Sequence, residues 1–155
     1  MGTRADFYVG RGPNAEWLGS IAWDGYPQRW LKRGMRNDAG VPLAISNAKT
    51  EVEYREAVKH FLARRDDKTL PAQGWPWPWE TSSTTDYAYA FIQGRKGNPK
   101  GTVYTSCFGS AWYNAQRRNA PDKRHHPATF PDMSKAPQRE KFGAHSGVMV
   151  ISTPS

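Results

Sequence analysis

Tyr87-Ala88-Tyr89-Ala90-Phe91-Ile92, then Gly94-Arg95-Lys96-Gly97-Asn98-Pro99-Lys100-Gly101, then Thr102-Val103-Tyr104-Thr105-Ser106-Cys107-Phe108 reads as two strands joined by a turn. Side chains alternate across a strand, so Tyr87, Tyr89 and Phe91 share one face. The connecting stretch holds three glycines and a proline, the punctuation of a hairpin loop. A second hairpin is expected at the N-terminus. Asp6-Phe7-Tyr8-Val9 runs into Gly10-Arg11-Gly12-Pro13-Asn14, and residues 17–23 then alternate imperfectly up to Asp24-Gly25. Gly147-Val148-Met149-Val150-Ile151 adds a short apolar C-terminal strand.

One main helix is expected over about 51–65. Thr50 is the cap, and Glu53, three residues on, completes a capping box. Val52, Tyr54, Ala57, Val58, Phe61 and Leu62 supply an apolar face at helical spacing. Glu51, Glu53 and Glu56 near its start, and Arg64 and Arg65 at its end, suit the helix dipole. A short helix is expected over 27–35, with Pro27 in its first turn. The fold class is α+β: an antiparallel sheet of two hairpins plus a C-terminal strand, packed against that main helix.

The chain has 155 residues, which suits a single domain over 1–155. A domain of that size buries roughly 68–70% of the surface its unfolded chain exposes, so neither disulfide nor metal is needed for folding. The lone Cys107 has no internal partner, which suits a reducing compartment. No apolar h-region opens the chain and no stretch approaches the ~20 apolar residues of a membrane span, so neither secretion nor membrane insertion is expected. The net charge is +8. Residues 1–66 carry +3, residues 67–110 carry +1 and residues 111–155 carry +4. Such a field favours acidic partners and argues against mimicry of DNA. Residues 114–144, rich in Pro, Arg, Lys and His without periodicity, read as a long basic loop.

Two constellations are candidates for binding. Trp75-Pro76-Trp77-Pro78-Trp79 places three indoles on a stiff backbone, where prolines favour extended geometry over helix. Exposed, Trp75, Trp77 and Trp79 would make anchors for a partner; alternatively they cover the core. The basic clusters are Arg29, Lys32, Arg33 and Arg36; then Arg95, Lys96 and Lys100; then Arg117, Arg118, Lys123 and Arg124. With aromatics interleaved they fit an acidic protein surface or nucleic acid, though no helix-turn-helix, zinc-finger or RRM signature accompanies them.

No catalytic residue, metal site or cofactor is assigned. His125-His126 is adjacent, while a zinc site needs three or four convergent ligands. Gly10-Arg11-Gly12 is too short for a dinucleotide fingerprint and reads as a turn. A nucleophile such as Cys107 or Ser106 with His145 would require partners that meet only in space.

Several segments together resemble a known group. Arg4-Ala5-Asp6-Phe7-Tyr8-Val9-Gly10, Glu16-Trp17-Leu18-Gly19-Ser20-Ile21-Ala22-Trp23-Asp24-Gly25, Gly74-Trp75-Pro76-Trp77-Pro78-Trp79 and Thr85-Asp86-Tyr87-Ala88-Tyr89-Ala90-Phe91 resemble small proteins of bacteriophages, prophages and integrative elements, as do Phe130-Pro131-Asp132-Met133-Ser134 and Ser146-Gly147-Val148-Met149-Val150. That family has no settled activity, so the resemblance implies a setting and no catalytic residue. The implied function is a non-catalytic binding protein in the bacterial cytoplasm. It would inhibit a host defence nucleoprotein complex, of the CRISPR type, by stoichiometric occlusion. Its partner would present an acidic surface. The alternatives are a direct DNA- or RNA-binding accessory protein and a virion or assembly component.

Overall fold

The strand at residues 87–93 is the spine of a six-stranded sheet in a computed structural model, which describes residues 2–10, 12, 14–28, 39–96, 98, 100–109, 112–115 and 133. In chain order the elements are β1 (Ala5–Val9), β2 (Glu16–Ile21), α1 (Leu43–Ser46), α2 (Glu51–Ala63), β3 (Lys68–Thr69), β4 (Tyr87–Gln93), β5 (Gly101–Cys107) and β6 (Tyr113–Asn114). The sheet order is β3-β2-β1-β4-β5-β6. Both expected hairpins are present: β1 pairs β2 and β4 pairs β5, each antiparallel. The fold is α+β, with a mostly antiparallel sheet packed against one main helix.

The joint between the two hairpins is parallel, which a wholly antiparallel reading does not anticipate. A parallel pair needs a long crossover, and the chain between β2 and β4 supplies it through α1, α2 and β3. The entry of β4 is fixed by two bonds to the Arg4 backbone: Tyr87 N donates to Arg4 O at 2.9 Å and Arg4 N donates to an Asp86 carboxylate oxygen at 2.8 Å. β4 therefore starts level with β1. The expected C-terminal strand at 147–151 lies outside the described residues. So do residues 29–35 of the expected 27–35 helix and most of the 114–144 loop. Pro27 itself bridges Val41.

Alternation along β4 and β1 builds two cores. Phe7, Tyr89 and Phe91 face the helices and pack with Val41, Ile45, Tyr54, Val58, Phe61 and Leu62. Tyr8, Ala88, Ala90 and Ile92 face the other way, against Trp17, Trp75, Tyr104, Trp112 and Met133. The small Ala88 and Ala90 leave the space that the indoles fill. The imperfect alternation of β2 is a bulge. Phe7 pairs Gly19 and Tyr8 pairs Trp17, so Leu18 is the extra residue.

The start of α2 matches its sequence signature. Glu53 N donates to Thr50 Oγ1 at 3.2 Å, and the Glu53 carboxylate accepts from Thr50 N at 3.2 Å and Lys49 N at 2.8 Å. We expect Thr50→Ala to cost about 1 kcal/mol in chemical denaturation, the usual value of such a cap. One residue of the expected apolar face is misplaced: Val52 is 72% exposed. It stands two positions from Tyr54, about 200° around the helix, while Tyr54, Val58, Phe61 and Leu62 form the buried stripe. The arginines after α2 do more than meet the dipole. Arg65 grips both oxygens of Asp67 at 2.7 Å and donates to Trp23 O at 2.5 Å.

Candidate functional site

The Trp-Pro segment is built inward. A one-turn 3-10 helix (Pro71–Gln73) precedes it, with Pro71 at a position that needs no N–H donor. Trp75 is completely buried, edge-on to Trp17 at 5.2 Å, and its N–H donates to Trp79 O at 2.5 Å. Trp77 and Trp79 are half-buried and stacked, with centroids 5.9 Å apart. Their N–H groups donate to Asp6 Oδ1 at 2.7 Å and Thr85 Oγ1 at 3.1 Å. The Arg4 guanidinium covers part of their outer faces, 5.0 Å from the Trp79 ring and 5.7 Å from the Trp77 ring. The expectation of three exposed indoles is therefore corrected for Trp75 alone, while Trp77 and Trp79 stay half-exposed. Trp75 is out of reach of a partner, and the other two pack against the core with their N–H groups turned inward.

Beneath this cover lies a group that sequence reading did not single out. Asp6 is fully buried in β1 and accepts from Ser20 Oγ at 2.6 Å, from Trp77 and from Ser82 Oγ. Ser20 in turn accepts from Trp17 Nε1 at 3.0 Å, and Ser82 pairs with the Tyr8 hydroxyl at 2.6 Å. Burial pushes the Asp6 carboxyl above its ordinary value, against the opposing pull of bonds from Ser20, Ser82, Trp77 and Thr85. Burial, helped by the Asp6 charge, also pushes the Tyr8 phenol well up. A carboxylate among serines and a tyrosine has catalytic chemistry in its inventory. Asp6, Ser20 and Ser82 are at most 1% exposed, however, and substrate cannot reach them. The constellation acts as a clamp holding the Trp-Pro segment to β1 and β2.

The accessible chemistry lies at the β4–β5 tip. Gly94 N donates to Lys100 O at 3.0 Å, Asn98 N to Arg95 O at 2.8 Å, and Gln93 Nε2 to Asn98 O at 2.9 Å. The Asn98 side chain accepts from Lys100 N at 3.0 Å. Gly101 N reaches across to Lys49 O at 2.7 Å, anchoring the tip to the loop before α2. These bonds shape a cleft of about 480 Å³ lined by Arg95, Lys100, Gln93, Asn98, Thr102 and Tyr104 among others, with no carboxylate among the described lining residues. Arg95, Lys96 and Lys100 are exposed, and none of the three side chains has a partner among the described residues. The tip also brings up exposed Lys49, a fourth cation that no local pattern signals. A Cβ on Gly101 would overlap Ile92 O and the Phe91 ring. Gly101→Ala is expected to cost about 2 kcal/mol through that overlap, read as a lowered denaturation midpoint.

Comparison with protein-family models, curated proteins and solved structures returned no match. The tip therefore stands on its own geometry. Of the three basic clusters only Arg95, Lys96 and Lys100 are placed. Arg29, Lys32, Arg33 and Arg36 lie outside the described residues, as do Arg117, Arg118, Lys123 and Arg124. Cys107 is half-buried, and burial pushes its thiol up, away from the reactive thiolate. His145, weighed with Cys107 or Ser106 in the sequence, is outside the described residues. Among the described residues no three His, Cys, Asp or Glu side chains gather as a metal site, and no helix is long and apolar enough to cross a membrane.

Proposed function

We propose that this chain is a stoichiometric binding protein of a mobile genetic element. It occludes a host defence nucleoprotein complex, of the CRISPR type, in the bacterial cytoplasm. The β4–β5 tip is its leading contact. The observation that carries the reading is the tip itself. Three exposed cations, without a partner among the described residues, stand on a hydrogen-bonded loop beside a polar cleft whose described lining holds no carboxylate. A preorganised loop loses little entropy on docking, and unopposed cations steer it to an anionic face. The sealing of Asp6 and the raised thiol of Cys107 support occlusion over chemistry. The setting rests on the resemblance to phage and integrative-element proteins.

The test is affinity capture of tagged protein from a bacterial lysate, split into nuclease-treated and untreated arms. Occlusion of a nucleoprotein predicts the same host protein in both arms, at one copy per copy of this chain. Recovery of nucleic acid alone, lost on nuclease treatment, would establish the direct nucleic-acid reading instead. Its affinity would then fall with salt at a log–log slope of about −0.9 per duplex phosphate neutralised.

A further inference from the structure

An apolar hollow lies beside α2, on the helix side of the sheet, and shares no lining residue with the tip cleft. Its floor is Leu18, Val58, Leu62 and Leu70, and its volume is about 590 Å³. Hollows of roughly 300–1,000 Å³ with apolar walls and a few convergent polar groups are the usual form of small-ligand pockets. The bulge at Leu18 and the approach of Leu62 to Gly19 open this space beside α2.

Among the described residues its charged lining groups are all cationic, Arg55, Lys59 and Lys68, and none is a carboxylate. Arg55 is already spent, donating to Glu16 at 2.6 and 3.0 Å and to Glu51 at 2.7 Å. Lys68 uses one N–H on Arg65 O at 2.9 Å, leaving two more. Lys59 is exposed and has no partner among the described residues. Two ammonium groups thus hold unspent donors at the rim of an apolar trough. A peptide strand fits poorly here. The bulge breaks the ladder on β2, and β3 already takes Ser20 and Ile21.

We propose that this groove binds an aliphatic carboxylate of medium chain length, the chain lying on Leu18, Val58, Leu62 and Leu70 and the carboxylate on Lys59 and Lys68. The inference is independent of the tip's proposed role. The apolar chain supplies affinity by leaving water, and the two ammonium groups select the anion over a neutral or cationic head.

Titration calorimetry with dodecanoate, dodecanol and dodecyltrimethylammonium, all below micelle formation, tests it on the intact chain. The expected result is saturable one-to-one dodecanoate binding, about tenfold or more tighter than either of the other two. Lys59→Glu combined with Lys68→Gln should bring dodecanoate down to the level of dodecanol while leaving the thermal midpoint in place. Leu70→Asp, at the 38% exposed lip, should remove binding of all three. Amide shifts on dodecanoate addition should fall on Leu18, Lys59 and Leu70. No saturable binding, equal affinity for the three heads, an undiminished double variant or shifts elsewhere would each overturn the proposal.

Discussion

Asp6→Ala is expected to lower the free energy of unfolding by about 4 kcal/mol, while Asp6→Asn stays within about 1 kcal/mol of the wild type. The alanine leaves the hydroxyls of Ser20 and Ser82 and the indole N–H of Trp77 without their acceptor, in a space closed to water. Each orphaned buried donor costs about 1–3 kcal/mol. Asparagine keeps an oxygen for Ser20 and Trp77. Its amide can donate to Ser82, because the Ser82–Tyr8 pair allows either hydroxyl to be the donor. The buried charge disappears as well. A carboxyl whose folded pKa is raised contributes fully only below its unfolded pKa, and that contribution is lost as pH rises through the folded value. The wild type should therefore gain on Asp6→Asn as pH falls from neutrality toward the ordinary carboxylate range. Denaturant titrations of the three proteins at neutral and mildly acidic pH give both results. An asparagine variant as damaged as the alanine variant would contradict the clamp.

Arg95→Glu, Lys96→Glu and Lys100→Glu together are expected to weaken capture of the partner about a hundredfold, near 3 kcal/mol, with the fold intact. The three side chains are exposed and take no part in the bonds that shape the loop, which run through the main chain, Gln93 and Asn98. The loss should lie in the association rate and should flatten the salt dependence, because charges at the rim of an interface act mainly by steering. Stopped-flow or surface-based kinetics at two salt concentrations separate this from a slow unfolding of the tip, which would speed dissociation at both.

The hairpins, the capping box of α2 and the aromatic face of β4 were legible in the sequence because each is written within about two dozen consecutive residues. The parallel joint of β1 with β4 was not. It depends on where the chain returns after about 77 residues, and the cue is a pair of bonds from the Arg4 backbone, one with the Tyr87 N–H and one with the Asp86 carboxylate. β3 and β6, at two residues each, are too short to carry a period. The direction of the tryptophans was also hidden. Ala88 and Ala90 on the opposite side of β4 from Tyr89 and Phe91 were the available signal that large side chains from elsewhere must fill that face. The Asp6 clamp draws Ser20, Trp77 and Ser82 from three separate segments, and no local pattern joins them. Of the candidate site, the cluster Arg95, Lys96 and Lys100 was readable from charge alone. The cleft beside it and the approach of Lys49 required the fold.

On the proposed function, the β4–β5 tip meets a host partner directly. A photo-crosslinking residue in place of Lys96, with a control in place of exposed Glu56 on α2, tests it in a bacterial lysate. The account predicts one discrete host protein joined at 96 and none at 56, with the adduct abolished by Arg95→Glu and Lys100→Glu. Equal adducts from both positions, or no adduct at 96 from a lysate in which the protein is active, would contradict it.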